Sequence, residues 1–342
     1  MLAPVAWRTP PRHYGPWERV AGLLTEGLVA AGHEVTLFAT ADSVTSATLD
    51  AVVAHGYAED EDLDGRVQEA LHVGHALARS GDFDVVHSHL DWLPLALAAA
   101  WRAPLVTTVH GFSGPRILPA YLAAQDVASA AHYVAISDSD RDPRLRYAAT
   151  IHHGIDLAEF TATADGGEDL LTLGRIHPDK GIADAIEIAR RSGRRLIIAG
   201  IVHDRPYFDE EIAPHLDGDR VRYVGSVGPE ERSRLLGSAA ALLHPIHFDE
   251  PFGLSVVEAM ACGTPVIAFR RGSMPEIVEG GVTGYLVDDV EAAARVVEAT
   301  AILDRPAIRR QAERRFGVDR MVREYLEVYR RAAARVAIGA AS

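Results

Sequence analysis

The chain has 342 residues, more than one hydrophobic core usually supports, so two domains are expected. Its 48% hydrophobic and 24% charged residues are a globular balance, and a formal net charge of −14 argues against nucleic acid and against stable docking on anionic lipid. One cysteine, Cys262, excludes an intrachain disulfide framework and suits a reducing cytoplasm, and no signal-peptide pattern or membrane-length apolar run is present.

Short apolar runs alternate with segments of helical period along the whole chain. Val35–Thr40, Val85–His87, Leu105–Val109 and Tyr133–Ile136 read as strands, with helices at Trp17–Ala31 and Leu63–Ser80, each closed by a glycine. The Ala/Asp/Gly/Glu-rich stretch Ala158–Glu168 reads as a linker. Beyond it, Asp169–Leu173, Arg195–Ala199, Val221–Val224, Ala241–His244, Pro265–Ala268 and Gly284–Val287 read as strands. Ile182–Arg191, Pro229–Ser238 and Ser255–Cys262 read as helices between them. This alternation predicts an α/β chain of two doubly wound, Rossmann-like domains facing across a cleft. The expected limits are residues 1–157, 158–319, and a last helical segment 320–342 that packs back on the first domain.

Two segments carry the chemistry. Glu250-Pro-Phe-Gly-Leu-Ser-Val-Val-Glu258 opens a helix near Leu254 or Ser255, where free amides can hold phosphate or sugar oxygens. Glu258, one turn in, can accept from the vicinal hydroxyls of a ribose, and Glu250 lies in the preceding loop. Gly174-Arg-Ile-His-Pro-Asp-Lys-Gly181 follows a strand directly, where open α/β sheets bind ligands. Arg175 offers a planar fork and Lys180 a point charge, a pair suited to a diphosphate. Lys180 is also the only lysine among 34 basic residues. Taken alone, the glutamates also fit ordinary charges at a helix start, and the second segment an ordinary strand–helix loop.

Together with weaker blocks in order, these segments resemble the retaining family-4 glycosyltransferases of the two-Rossmann-domain GT-B class. The blocks are Tyr14–Val20, Gly32–Val35, Asp84–His89, Thr108–Gly111, His153–Asp156, Val224–Ser226 and Pro275–Val278. The resemblance implies that Arg175 and Lys180 hold the diphosphate and that Glu258 binds the ribose. It implies that Glu250 and the amides of Phe252, Gly253 and Leu254, with Ser255 beside them, address the donor sugar and phosphate. Gly174 and Gly225 are expected along the nucleotide, with Ile201–Asp204 and Gly225–Pro229 lining the base pocket. His110 is expected to reach the donor sugar from the N-terminal domain, and Gly15 to lie against phosphate and acceptor. Pro16 replaces a second glycine of that family loop and cannot donate its amide.

The function expected is therefore sugar transfer with retention, from a nucleotide-diphosphate sugar to a soluble saccharide or natural-product hydroxyl. Uridine diphosphate is the commonest carrier in the family, and neither metal nor cofactor is expected. Alternatives are a nucleotide-sugar epimerase or hydrolase of the same fold, and a non-catalytic sugar-nucleotide-binding protein. A dinucleotide-dependent oxidoreductase is disfavoured, because no G-x-G-x-x-G occurs. The arginine-rich composition is compatible with an actinobacterial enzyme decorating an oligosaccharide antibiotic such as avilamycin. His87 is expected to be packed and His89 to line the cleft. Trp7, Trp17, Trp92 and Trp101 are expected mainly in packing, with Ser137 at a strand end within reach of the cleft.

Overall fold

The computed structural model describes residues 1–12, 14–111, 114, 116–127 and 131–339, without the side chains of residues 127, 131 and 335–339. Residues 340–342 of the expected terminal helical segment lie outside this set. The chain forms two compact units, Met1–Gly154 together with Val318 onward, and Ile155–Gly317. It passes from one to the other at 154/155 and returns at 317/318, against the expected 157/158 and 319/320.

In the first unit, β1 (Thr36–Thr40) pairs with β2 (Thr48–Val53), and β3 (Val86–Ser88), β4 (Leu105–Val109), β5 (Ala131–Ala135) and β6 (Tyr147–Thr150) follow in that order, all parallel. Met1–Ala3 fill the gap between β1 and β3. Leu2 N donates to His87 O and His89 N donates to Leu2 O, while Ala3 N donates to Phe38 O. Leu2 is fully buried there. The two outer strands β2 and β6 were not expected. Their residues are mostly half-exposed, so an edge strand need not carry the apolar run that marks a central one.

Helix Pro16–Ala30 starts with proline at its first position, where the missing N–H costs nothing. Helix Gly65–Ala78 is capped by Asp64, whose carboxylate accepts from Arg66 N and Val67 N. The long helix Val318–Gly339 belongs to this unit. Tyr325 OH lies 2.6 Å from Thr108 Oγ1 and Tyr329 OH 2.6 Å from His87 Nδ1, while Arg320 donates to the carbonyls of His152 and His153. Among the tryptophans, Trp101 is buried and Trp7 and Trp17 are half-buried, whereas Trp92 is 45% exposed, against expectation. Ser137 is fully buried and accepts from Asp140 N, so it is a turn-forming residue.

The second unit is built on β7 (Leu170–Leu173), β8 (Leu196–Ala199), β9 (Val221–Tyr223), β10 (Ala241–His244), β11 (Val266–Phe269) and β12 (Gly284–Val287). These pair in the order β12-β11-β10-β7-β8-β9, all parallel. The chain leaves β7 toward β8 and β9, then crosses back to β10 and proceeds the other way. Strand order therefore reverses between β7 and β10. Helix Ile182–Ser192 buries Ile182, Ala185, Ile186 and Ala189, one face at helical spacing, beside the core residues Leu170, Ile198, Leu243 and Ile267.

The stretch expected as a linker is folded onto this second unit. Thr161 N donates to Ser233 Oγ, Gly167 N to Ser238 O, and the buried Arg305 fork to Thr163 O, Thr163 Oγ1, Gly237 O, Ala239 O and Thr264 Oγ1. Its small polar composition reflects hydrogen bonding along a surface. No helix among the described residues is long and apolar enough to cross a membrane.

These contacts bear on stability at two places. Arg305→Met removes all five guanidinium hydrogen bonds to that cluster of oxygens and should cost about 3 kcal/mol. Calorimetry should then show the melting midpoint of the second unit lowered by roughly 6–12 °C; an unchanged midpoint would contradict the assigned role. His72 is buried with Nε2 2.9 Å from Ala3 O, and burial, only partly opposed by that carbonyl, lowers its pKa from 6.5 to about 4. The unfolded chain takes up this proton and the folded one resists it. The contribution of this residue is therefore complete above about pH 6.5 and is lost as pH falls toward 4, by about 3 kcal/mol. His72→Gln should flatten the fall of the melting midpoint between pH 7 and pH 4.5, whatever it does to the midpoint itself.

Candidate functional site

A reversal of strand order leaves the loops after the two flanking strands diverging from each other, which opens a crevice at the carboxyl end of the sheet. Here those strands are β7 and β10. Their loops are Gly174–Gly181 and Pro245–Gly253, the second continuing into the helix Leu254–Ala261. Both sequence segments singled out for their chemistry thus emerge at the one switch point of this sheet.

Gly181 ends the first loop with φ 63°, and a Cβ there would stand 1.8 Å from Pro245 O, so only glycine lets the two loops touch. His247 N donates to Asp179 O, tying them again. Held this way, Lys180 Nζ donates to Glu250 Oε2 at 2.7 Å and lies 4.5 Å from the centre of the Phe248 ring. His244, the last residue of β10, stands 3.6 Å from the same Glu250 oxygen. Burial alone would raise the pKa of Glu250. The His244 imidazole and Lys180 ammonium outweigh it and hold the carboxyl down at about 2. Burial lowers the pKa of His244, against the pull of Glu250. Glu250 is therefore a carboxylate at any working pH, with one oxygen occupied by the lysine.

Arg175 is half-buried and makes no ion pair or side-chain hydrogen bond among the described residues, although most arginines of this chain are paired. At a sheet switch point, an uncommitted guanidinium is a candidate for an anion.

The second loop is braced from β11. Ser273 N donates to Glu250 O and Ser273 Oγ to Phe252 O, both at 2.8 Å. Phe252 is buried edge-on to Phe316. Gly253 begins the helix at φ 89°, with Met274 Cε only 2.6 Å from where a Cβ would stand. Leu254 and Ser255 are partly exposed in the first turn, where the leading N–H groups have no intrahelical acceptors. Glu258 is buried, and Arg232 Nη1 lies 3.3 Å from its Oε1. Gly174, Gly200 and Gly225 follow β7, β8 and β9, with Gly174 N bonded to Ala199 O and Gly200 N to Gly225 O.

Arg232, His244, Phe248 and Ser273 were not singled out from the sequence. Arg232 comes from the helix Pro229–Ser238, 26 residues from its partner, so no spacing rule joins them. His244 did carry a signal, as a polar residue closing a buried strand at the sheet's carboxyl end.

In the first unit, His110 follows β4 and is 8% exposed. Trp17 stacks on its ring at 5.3 Å and 19°, and its Nε2 lies 2.8 Å from His89 Nδ1. His153 is 5.0 Å away, centre to centre. Burial holds His110, His89 and His87 well below the usual histidine range. His87 is packed as expected, whereas His89 is fully buried and lines no surface. Gly15, at φ 146°, begins helix Pro16–Ala30 and its carbonyl accepts from Arg19 N.

Comparison with known proteins agrees with this architecture. Residues 17–159 match the family model Glycosyltransferase Family 4, and residues 156–315 match Glycosyl transferases group 1. A D-inositol 3-phosphate glycosyltransferase of Saccharomonospora viridis is 31% identical, over 76% of this chain and 72% of its own. A glycogen synthase of Mycobacterium tuberculosis is 29% identical, over 89% and 86%. The solved structure of AviGT4, a glycosyltransferase involved in avilamycin A biosynthesis, matches with a TM-score of 0.70 and 27% identity, covering 96% of this chain and 93% of that one. The chain belongs to the family-4 glycosyltransferases of the GT-B fold, and its reaction is the transfer of a sugar from a nucleotide-sugar donor.

Proposed function

We propose that the second unit binds the diphosphate of the donor at the β7/β10 switch point, and that transfer proceeds with retention to a hydroxyl of a soluble saccharide or natural product. The observation that carries this reading is the convergence of Arg175, unpaired among the described residues, with Lys180 and a helix start at one sheet edge. Arg175 and Lys180 neutralise the diphosphate as the glycosidic bond breaks, a task of positioning and electrostatic stabilisation. Because two fixed cations supply that charge, no metal is required. Glu258 accepts from the ribose hydroxyls through the oxygen that Arg232 leaves open. Glu250 addresses the hydroxyls of the transferred sugar, with the amides of Phe252, Gly253 and Leu254, and Ser255 beside them, addressing the sugar and phosphate. Gly174 and Gly225 border the nucleotide.

In the first unit, His110 contacts the transferred sugar and Gly15 the phosphates, roles taken from the family resemblance. The acceptor hydroxyl attacks on the face the diphosphate leaves, and its proton passes to a departing phosphate oxygen. Uridine diphosphate is the favoured carrier on the same ground. Residues 1–153 hold 10 basic and 18 acidic residues, which favours a soluble acceptor over an anionic lipid surface. A natural-product acceptor such as an oligosaccharide antibiotic agrees with the likeness to AviGT4.

Lys180→Ala and Glu258→Ala should each lower donor turnover by roughly 100- to 1,000-fold, about 3–4 kcal/mol of transition-state stabilisation, with unchanged circular dichroism. Near-native rates in both would overturn the reading. Chelation with EDTA should leave turnover unaltered. A melting-temperature panel of UDP-, GDP-, ADP- and dTDP-sugars should identify the carrier by the largest upward shift.

A further inference from the structure

β10 ends in His244, a buried polar residue that no step of the transfer described above uses. Its Nε2 stands 3.6 Å from Glu250 Oε2, too far for a hydrogen bond. That nitrogen is buried and has no hydrogen-bond partner among the described residues. A buried polar atom left without a bond calls for a reason.

The neighbouring oxygen decides which nitrogen of the ring carries the hydrogen. Glu250 is a carboxylate, held so by the imidazole and the Lys180 ammonium, and a carboxylate oxygen only accepts. A lone pair on Nε2 would set two electron-rich atoms face to face in the interior, where repulsion is little screened. Nε2 therefore bears the hydrogen, and burial keeps the ring from taking up a second proton.

The oxygen it faces is already occupied. Lys180 Nζ donates to Glu250 Oε2 at 2.7 Å and is the one hydrogen-bond donor to that side chain among the described residues. Both side chains are mostly buried, at 17% and 13% exposure. A lysine whose charge is matched by a glutamate attracts an anion weakly. Drawing the ammonium toward an anion also strips a buried carboxylate of its donor, which is costly. A second donor waiting at the same oxygen offsets that loss. The gap it must close exceeds an ordinary N–H···O distance by under about 1 Å, so a small side-chain shift suffices.

We propose that His244 is a positioning residue that takes over Glu250: as Lys180 is drawn toward a diphosphate, the Nε2–H of His244 closes on Oε2, so that the carboxylate keeps a donor and the lysine is released to its ligand. A bond missing in the free protein is then made only in the liganded one, and His244 favours the liganded state by that difference. The diphosphate as the trigger rests on the functional reading above, while the waiting donor rests on the distances alone.

Isothermal titration of the full chain with UDP, GDP and ADP, each against its monophosphate, tests the exchange. These ligands carry no transferred sugar, so a contact between Glu250 and that sugar does not enter the measurement. His244→Leu should weaken the diphosphate that binds by about tenfold, and its monophosphate by less than about twofold. His244→Gln, whose amide can donate from near the same place, should restore most of the loss. In a Glu250→Gln chain, where the lysine faces no anion, adding His244→Leu should change the affinity by less than about twofold. Unchanged affinity in His244→Leu overturns the proposal. A loss shared equally by both nucleotides, or one that persists beside Glu250→Gln, marks a merely structural role and overturns it as well. Long-range proton–nitrogen correlation on the chain labelled with 15N at histidine, assigned from the signals lost in His244→Gln, gives a second readout. Nε2 of His244 should be protonated in the free chain, with its proton moving downfield when the diphosphate binds. A bare Nε2 overturns the proposal even if the leucine variant does not fold. A native chain that binds no diphosphate overturns the functional reading, and the proposal falls with it. Tight binding that is indifferent to His244 leaves that reading standing and removes the proposal alone.

Discussion

The reversal of strand order between β7 and β10 is the constraint on which the second unit's chemistry depends. Parallel strands all end at the same edge, and only where the chain changes direction do two neighbouring loops separate enough to admit a ligand. That edge receives Gly174–Gly181 from one side and Pro245–Gly253 from the other. Gly181 against Pro245 O then fixes the loops within contact, and the Lys180–Glu250 pair follows from that contact. A partly buried ion pair of this kind is weak evidence for stability, since desolvation offsets much of its attraction. Its better explanation is preparation: a lysine held in place by one carboxylate oxygen is ready to meet an anion without further ordering.

The two glutamates flanking the helix start occupy different environments. Glu250 shares its oxygen with a lysine and is close to a histidine, while the side chain of Glu258 is less exposed and pairs with Arg232. Among the described residues, each has one oxygen paired with a cation. This division gives two identical side chains separate cations, Lys180 for Glu250 and Arg232 for Glu258.

Much of this was legible in the sequence because central strands of a parallel sheet announce themselves. Leu170–Leu173, Leu196–Ala199 and Val266–Phe269 are nearly continuous apolar runs, buried on both faces. The site loops stood out for the opposite reason, as charge and glycine set directly after such runs. What was hidden depends on tertiary neighbours. β2 and β6 are half-exposed edges without an apolar run. Composition misled too: Ala158–Glu168 is polar and small, yet Arg305, 142 residues beyond Thr163, draws it onto the second unit. His89 reads in sequence as one half of a His-x-His pair, and only the fold shows that its partner is His110.

The central claim is that the second unit grips a diphosphate through Arg175 and Lys180. Isothermal titration of a nucleoside diphosphate against the matching monophosphate tests it most directly, in the native chain and in Arg175→Ala and Lys180→Ala. The account predicts at least tenfold tighter binding of the diphosphate, about 1.4 kcal/mol, with that preference lost in either variant. Equal affinities for the two nucleotides in the native chain, or a preference that survives both substitutions, would contradict it.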